Sequence, residues 1–231
     1  MISQICQTYG LVLNPPVFQA DYEFACHSAV RFVFPQATLR GCFFHYSQAL
    51  WRKFQTLALV AAYNANDEVR KWLRRSLSLP LVPIDQMDQA LTLVEAAKPD
   101  IPAANDFHDY LWQNWAGDIN PRFSRPMWNH FGNESGVRTN NHLEGWHGKI
   151  NRIAGKAHPN IFELISLLKR EQRVNENLME MLLAGANPPH QRATYRRINQ
   201  QINYYKQQFQ NGIRNLENYM DCISHLLKLH D

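Results

Sequence analysis

The chain has 231 residues, 45% of them hydrophobic, which is enough apolar material for one large domain or two small ones. A formal charge of +4 permits nucleic-acid binding without requiring it, because the basic residues are spread out and form no polybasic tail. Its apolar runs fall short of a membrane span, and with four cysteines that show no CxxC spacing and no secretory signal, reduced thiols in an intracellular protein are expected.

Residues 1–13 read as the end of a short helix running into a loop at Asn14-Pro15-Pro16, and the chain is expected to begin inside a domain. A short strand is predicted over 17–20, with Asp21 at its carboxyl end. From Tyr22 the pattern turns helical, with Tyr22, Cys26, Ala29, Val30 and Val33 on one side, until Pro35 stops it. A second strand over 37–42 feeds a helix from about Phe43 that carries Phe44, Leu50, Trp51, Phe54 and Leu57. Strand, helix, strand, helix is the order of an α/β sheet.

After residue 60 the strand signals vanish. Helices are predicted over 66–77, 84–97 and 103–116, separated by Pro80, Pro83, Pro99 and Pro102. Residues 117–138 hold Phe123, Trp128 and Phe131 among prolines and glycines, an ordered aromatic loop.

The stretch 139–152 (Thr139-Asn140-Asn141-His142-Leu143-Glu144-Gly145-Trp146-His147-Gly148-Lys149-Ile150-Asn151-Arg152) reads as a loop entering a helix. Asn141 is a good N-cap, and Leu143, Trp146, Ile150 and Ile153 make one apolar stripe. Glu144 lies off that stripe beside Gly148 and Asn151. Each glycine costs a helix interior about 1 kcal/mol against alanine, so Gly145 and Gly148 beside one acid suggest a close approach by something else. Lys149, Arg152 and Lys156 follow. A carboxylate on a bare face with cations behind it suits a divalent metal and a phosphate, although Asn141 and Glu144 equally fit a capping box.

Two long helices close the chain. The first, about 160–184, carries Ile161, Leu164, Ile165, Leu168, Val174, Leu178, Met181 and Leu182, and ends at Gly185 and Pro188-Pro189. The second, about 191–229, has apolar residues at alternating three and four spacing, which suits an antiparallel hairpin or a seam between two chains.

The acids of interest are Asp21 and Glu144. Two-metal phosphoryl transfer needs carboxylates converging on cations about 3.5–4 Å apart, and strand ends are where open α/β sheets place their sites. Asp21 equally fits a helix cap. Cys42 and His45 form a Cys-x2-His pair at a strand-to-helix junction; two soft ligands do not make a zinc site, no nearby Cys or His completes a set although His27 could approach, and packing or a local hydrogen bond is expected. His142 and His147 flank Glu144 and either contact phosphate or stabilise the helix start, the second being preferred. There is no Gly-rich phosphate loop, nucleophile elbow or HExxH, which argues against nucleotide hydrolases, serine hydrolases and zincins.

Taken in order, Asp21-Tyr22-Glu23-Phe24-Ala25, Phe34-Pro35-Gln36-Ala37, Gly41-Cys42-Phe43-Phe44-His45-Tyr46-Ser47-Gln48, Trp51-Arg52-Lys53 and the 139–147 segment resemble a Mutator-like element (MULE) transposase over about residues 15–155. The resemblance implies an RNase H-like fold and a DDE triad that holds Mg²⁺ or Mn²⁺ for DNA cleavage and strand transfer at transposon ends. It makes Asp21 the second acid, Glu144 the third, and Cys42 with His45 the family's Cys/His signature, structural or DNA-positioning. The first acid has no counterpart before Asp21, so a truncated, incomplete transposase domain is expected, inactive by itself. The expected fold is α+β and mostly α. A partial RNase H-like α/β core (1–60) precedes a large helical insertion with the aromatic loop (61–138), the helix carrying the third acid (139–158) and a C-terminal helical hairpin (159–231). Arg138, Lys149, Arg152 and Lys156 are the expected DNA contacts, 191–229 a candidate homo-oligomer surface, and the nucleus the expected location. The alternative is a non-enzymatic DNA-binding or helical interaction protein derived from a transposase.

Overall fold

The computed structural model describes residues 6–8, 10, 12–133, 137–156, 158–187 and 193–227. The protein is α+β and mostly helical, and it divides into two compact units: residues 1–139 with 199–231, and residues 140–198.

In the first unit, β1 (Val17–Ala20) and β2 (Thr38–Gly41) pair in parallel, in a register that sets Val17 beside Thr38 and Ala20 beside Gly41. A parallel pair cannot be closed by a tight turn and needs a crossover, supplied here by α1 (Phe24–Val33). Of the helix face expected from the sequence only Val30 is buried, joined by His27, while Val33 stays exposed. Among the described residues these are the two strands of the sheet.

The core lies under α2 (Phe43–Thr56). Tyr46, Leu50 and Phe54 recur every fourth residue on one face, as a helix that buries one stripe requires, and all three are fully shielded. Against that stripe come α3 (Val60–Ala65), α4 (Asp67–Ser78), α6 (Pro102–Leu111) with its π-type turn Trp112–Ala116, and the one-turn α7 (Arg125–Trp128), while α5 (Met87–Ala96) packs on α4. Asn66 caps α4, its side chain accepting from the Glu68 and Val69 amides, and Pro102 opens α6 where its missing N–H costs nothing. Tyr46 joins the layers: its hydroxyl donates to the Ser76 carbonyl at 2.8 Å, and its ring stacks on Trp128 and meets Trp115 edge-on. Trp128 and Phe123 are buried, so the aromatic loop is part of the core.

Along the chain there follow α8 (Asn141–Ala154) and α9 (Ile161–Leu183) in the second unit, α10 (Ala193–Gln210), whose residues are divided between the units, and α11 (Leu216–Leu226) in the first unit. The single helix expected over about 191–229 is therefore two, and the ends of that expectation lie outside the described residues. Gly212 at φ +71° breaks it, and the Asn215 side chain caps the restart by accepting from the Asn218 amide. The apolar face of α11 packs on α4 and α5 through Leu216, Tyr219, Met220 and Ile223. Arg75, buried on α4, donates to both Asp221 carboxylate oxygens (2.7 and 2.9 Å) and to Glu217 (2.6 Å) on α11. The Tyr219 hydroxyl reaches the Leu81 carbonyl at 2.6 Å.

In the second unit Gly155, at φ +68°, ends α8, and a capping box of Asn160 and Glu163 starts α9. No such box opens α8: its N-cap is Asn140, one residue earlier than expected, and that side chain makes no cap hydrogen bond. Of the expected stripe Ile150 is buried, whereas Leu143 and Ile153 are exposed. On α9 Ile161, Ile165, Leu168, Val174 and Met181 stay exposed as well. Two helices cover each other only along their contact line, which leaves the remainder of an apolar stripe in water.

Candidate functional site

The strand register builds the site. Because Ala20 pairs with Gly41, Asp21 and Cys42 are the next residues at the carboxyl ends of two adjacent parallel strands, and the Cys42 amide donates to the Ala20 carbonyl at 2.9 Å. Cys42 is also the N-cap of α2, so His45, three residues on, lies over it on the same side of the first turn. The His45 Nδ1 comes to 3.0 Å from the Asp21 carboxylate. The ligating atoms of Asp21, Cys42 and His45 all lie within 4.8 Å of one another. Cys42 is fully buried, while the side chains of His45 and Asp21 are 25% and 46% exposed, so the cluster opens outward on its carboxylate side.

Two further imidazoles hold the backbone beneath. The His27 Nε2 contacts the Asp21 carbonyl oxygen at 2.6 Å, and the His130 Nε2 contacts the Gly41 carbonyl at 2.9 Å. A carbonyl only accepts, so both imidazoles carry their proton on Nε2. Burial and the nearby Arg40 depress the His130 pKa to about 4, keeping that ring neutral. Gly41 has no substitute: a Cβ there collides with the Tyr22 ring. The Tyr22 hydroxyl is buried against Gly41 without a hydrogen-bond partner, and burial first, then the Cys42 and Asp21 charges, raise its pKa well above that of an ordinary phenol.

A cleft of about 340 Å³ opens in front of Asp21, with His45, Arg52, Tyr110 and Arg122 on its walls. Arg122 lies over the rings of Phe24 and Phe123 at 5.2 and 5.5 Å, which holds a cation at the rim. Arg122 was not singled out from the sequence, where it is one cation in an aromatic loop; Pro121 and Phe123 on either side were its only signal. A larger groove of about 840 Å³ in the second unit is lined by Ile153, Phe162, Leu164 and Arg170, and its carboxylate, Glu163, is already paired with Lys156 at 2.7 Å. It carries no comparable chemistry.

Glu144 stands in the first turn of α8, exposed, in the second unit. A Cβ at Gly145 or at Gly148 would meet no described atom within 4 Å, so nothing in the described fold demands glycine there. Of the expected DNA contacts, Lys149 is ion-paired with the buried Glu171 at 2.8 Å and Lys156 with Glu163. Arg152 is exposed on α8, with no carboxylate in ion-pair range among the described residues. Arg138 belongs to the first unit, half-buried, with its guanidinium on Asn199 at 2.6 Å; burial lowers its pKa, but an arginine stays protonated. The sequence candidates thus fall into an Asp21–Cys42–His45 cluster with Arg138 elsewhere in one unit, and Glu144, Lys149 and Arg152 on α8 with Lys156 just past its end in the other.

The Mg²⁺ or Mn²⁺ implied by the resemblance fits Asp21 alone in the first cluster. Mg²⁺ keeps several waters and takes one or two carboxylates, and a half-exposed Asp21 at the mouth of a cleft allows that. The sulfur and imidazole beside it are not donors for a hard cation. Searches against protein-family models, curated proteins and solved structures gave no match to the chain.

Proposed function

We propose that the chain is the part of a Mutator-type DDE transposase catalytic domain, with an RNase H-like core, that carries two of the three metal-binding acids, Asp21 and Glu144, and acts on DNA in the nucleus. The observation that carries this reading is the meeting of Asp21 with His45 at 3.0 Å: the acid and the Cys/His signature, separate in sequence, occupy one strand-end site. Strand-end loops are where α/β sheets do their chemistry.

In this reading Asp21 and Glu144 hold Mg²⁺ or Mn²⁺, and the bound cation supplies the Lewis acidity that activates water or a 3′-hydroxyl for attack on a phosphodiester. The chain's own residues do the rest. Arg52 and Arg122 line the cleft before Asp21 and take DNA phosphates. Arg152 adds a contact on α8, and Gly145 and Gly148 let the backbone approach Glu144 closely.

The test is binding of a short DNA duplex with and without Mn²⁺, read by fluorescence anisotropy. Mn²⁺ should tighten binding, and Asp21→Asn or Glu144→Gln should each abolish the increment. An increment that survives both substitutions, or none in the unsubstituted chain, removes the metal-dependent reading.

A second reading, a non-enzymatic helical interaction protein descended from a transposase, is favoured by one observation, the exposed Ile161, Ile165, Leu168, Val174 and Met181 on α9. Sedimentation of the full chain separates the two readings, because only this one requires concentration-dependent association.

A further inference from the structure

We propose that Asp21, Cys42 and His45 form a three-ligand transition-metal site, best matched to Zn²⁺, with its fourth position open to the cleft. The inference does not rest on the transposase reading; it rests on the donor set and its geometry.

A thiolate, an imidazole nitrogen and a carboxylate oxygen are the ligand types that zinc accepts together, whereas sulfur and nitrogen are poor donors to Mg²⁺. Zinc bond lengths of about 2.0–2.3 Å at tetrahedral angles place neighbouring ligand atoms about 3.3–3.6 Å apart. The Asp21 carboxylate and His45 Nδ1 are already at 3.0 Å, and the whole set lies within 4.8 Å. Closing the set onto a cation takes movements of about 1 Å, within the reach of side-chain rotation. A buried cysteine is usually only a small hydrophobe, but Cys42 shares its corner with a nitrogen and an oxygen donor.

The scaffold holds these donors for reasons unrelated to any ion. Cys42 is fixed by its amide on Ala20 and by its place as the N-cap of α2, and His45 follows one helical turn later. The Asp21 backbone is held by the buried His27 through its carbonyl. A second observation stands beside the donor set: the buried Tyr22 hydroxyl, against Gly41 and within electrostatic range of Cys42, has no hydrogen-bond partner. Three protein ligands facing a cleft of about 340 Å³ match zinc sites that keep a water or substrate position, and not closed structural ones.

Binding exchanges the Cys42 thiol proton for the cation, so affinity falls as the solution is acidified. It also occupies the Asp21 oxygen that the transposase reading needs, so Zn²⁺ and Mn²⁺ exclude one another at this corner.

The experiment is a Co²⁺ titration of the chelator-treated full chain, followed by absorption and then by displacement with Zn²⁺. A thiolate-to-cobalt charge-transfer band is expected, reversed by Zn²⁺, lost in Cys42→Ser and retained in Cys222→Ser. His45→Asn, at a position whose side chain is 25% exposed, should weaken Co²⁺ binding at least tenfold while the far-ultraviolet circular dichroism stays that of the unsubstituted chain. Absence of the band, its survival in Cys42→Ser, or indifference to His45→Asn overturns the proposal. With chelator-treated chain in both tests, the Asp21-dependent Mn²⁺ effect on DNA without a cobalt band refutes the zinc site alone, and the band without the Mn²⁺ effect refutes the transposase reading alone.

Discussion

The Asp21 carboxylate and the His45 imidazole stand 3.0 Å apart across the ends of two parallel strands, one at the end of β1 and the other in the first turn of α2. The pair is part-exposed, so it adds little to stability; exposed polar contacts of this kind are worth about 0–1 kcal/mol. We expect Asp21→Asn to leave urea unfolding within about 1 kcal/mol of the unsubstituted chain while abolishing the Mn²⁺-dependent gain in DNA affinity. A large loss of stability would instead make Asp21 a structural residue.

Arg75 is the contrasting case. Its guanidinium is buried and meets Asp221 on both oxygens and Glu217 on one, tying α4 to α11. Burial works against the charge on Asp221, but the Arg75 hydrogen bonds outweigh it and hold that carboxyl below its usual range. Asp221 and Glu217 are 30% and 48% exposed and can be rehydrated, so removing Arg75 costs its own buried packing and its charge-assisted hydrogen bonds to them. Arg75→Ala should cost about 3 kcal/mol in urea unfolding, and Lys71→Ala, whose ammonium lies 3.4 Å from Asp221 at an exposed position, about 0.5 kcal/mol or less. Equal effects would show that burial is not what gives Arg75 its weight.

His130 predicts an acid dependence. Its pKa falls from the ordinary 6.5 to about 4 on folding, so between those values the unfolded chain binds the proton that the folded chain refuses. Stability therefore declines as pH drops from 6.5 towards 4 and is unaffected by this group above that window. The full effect of this one group is on the order of 3 kcal/mol. His130→Gln keeps a donor for the Gly41 carbonyl and removes the titration, so its unfolding free energy should change less across the window. An unchanged slope would assign the acid sensitivity to other groups.

The local pattern carried much of this fold and little of its site. The strand at Val17–Ala20 and the long helix Ile161–Leu183 agree with their sequence signals, because alternation and three-four spacing are properties of a single segment. The break at Gly212 was hidden, since the apolar spacing of α10 runs on into α11 and one glycine and one asparagine cap do not disturb it. The meeting of Asp21 with Cys42 and His45 depends on the register of two strands, which no single segment encodes. That register also explains why a Cys-x2-His pair that lacked a third ligand in sequence has one in space. The ion pairs of Lys149 and Lys156 went unread for a different reason: an exposed cation looks the same whether it faces phosphate or a glutamate seven or more residues away along the chain.

The glycines beside Glu144 give the sharpest separation between stability and function. A helix interior gains about 1 kcal/mol when glycine becomes alanine, and a Cβ at Gly145 or Gly148 has nothing described within 4 Å to strike. The folded chain by itself would therefore be more stable with alanine at both positions. If the bare face exists to admit DNA close to Glu144, the two demands oppose each other. Gly145→Ala and Gly148→Ala should each raise the urea midpoint, by about 0.5–1 kcal/mol in unfolding free energy, and each should weaken Mn²⁺-dependent DNA binding severalfold. Stabilised variants that bind DNA with undiminished affinity would mean that nothing approaches this face, and Glu144 would then lose its strongest local support as a metal-binding acid.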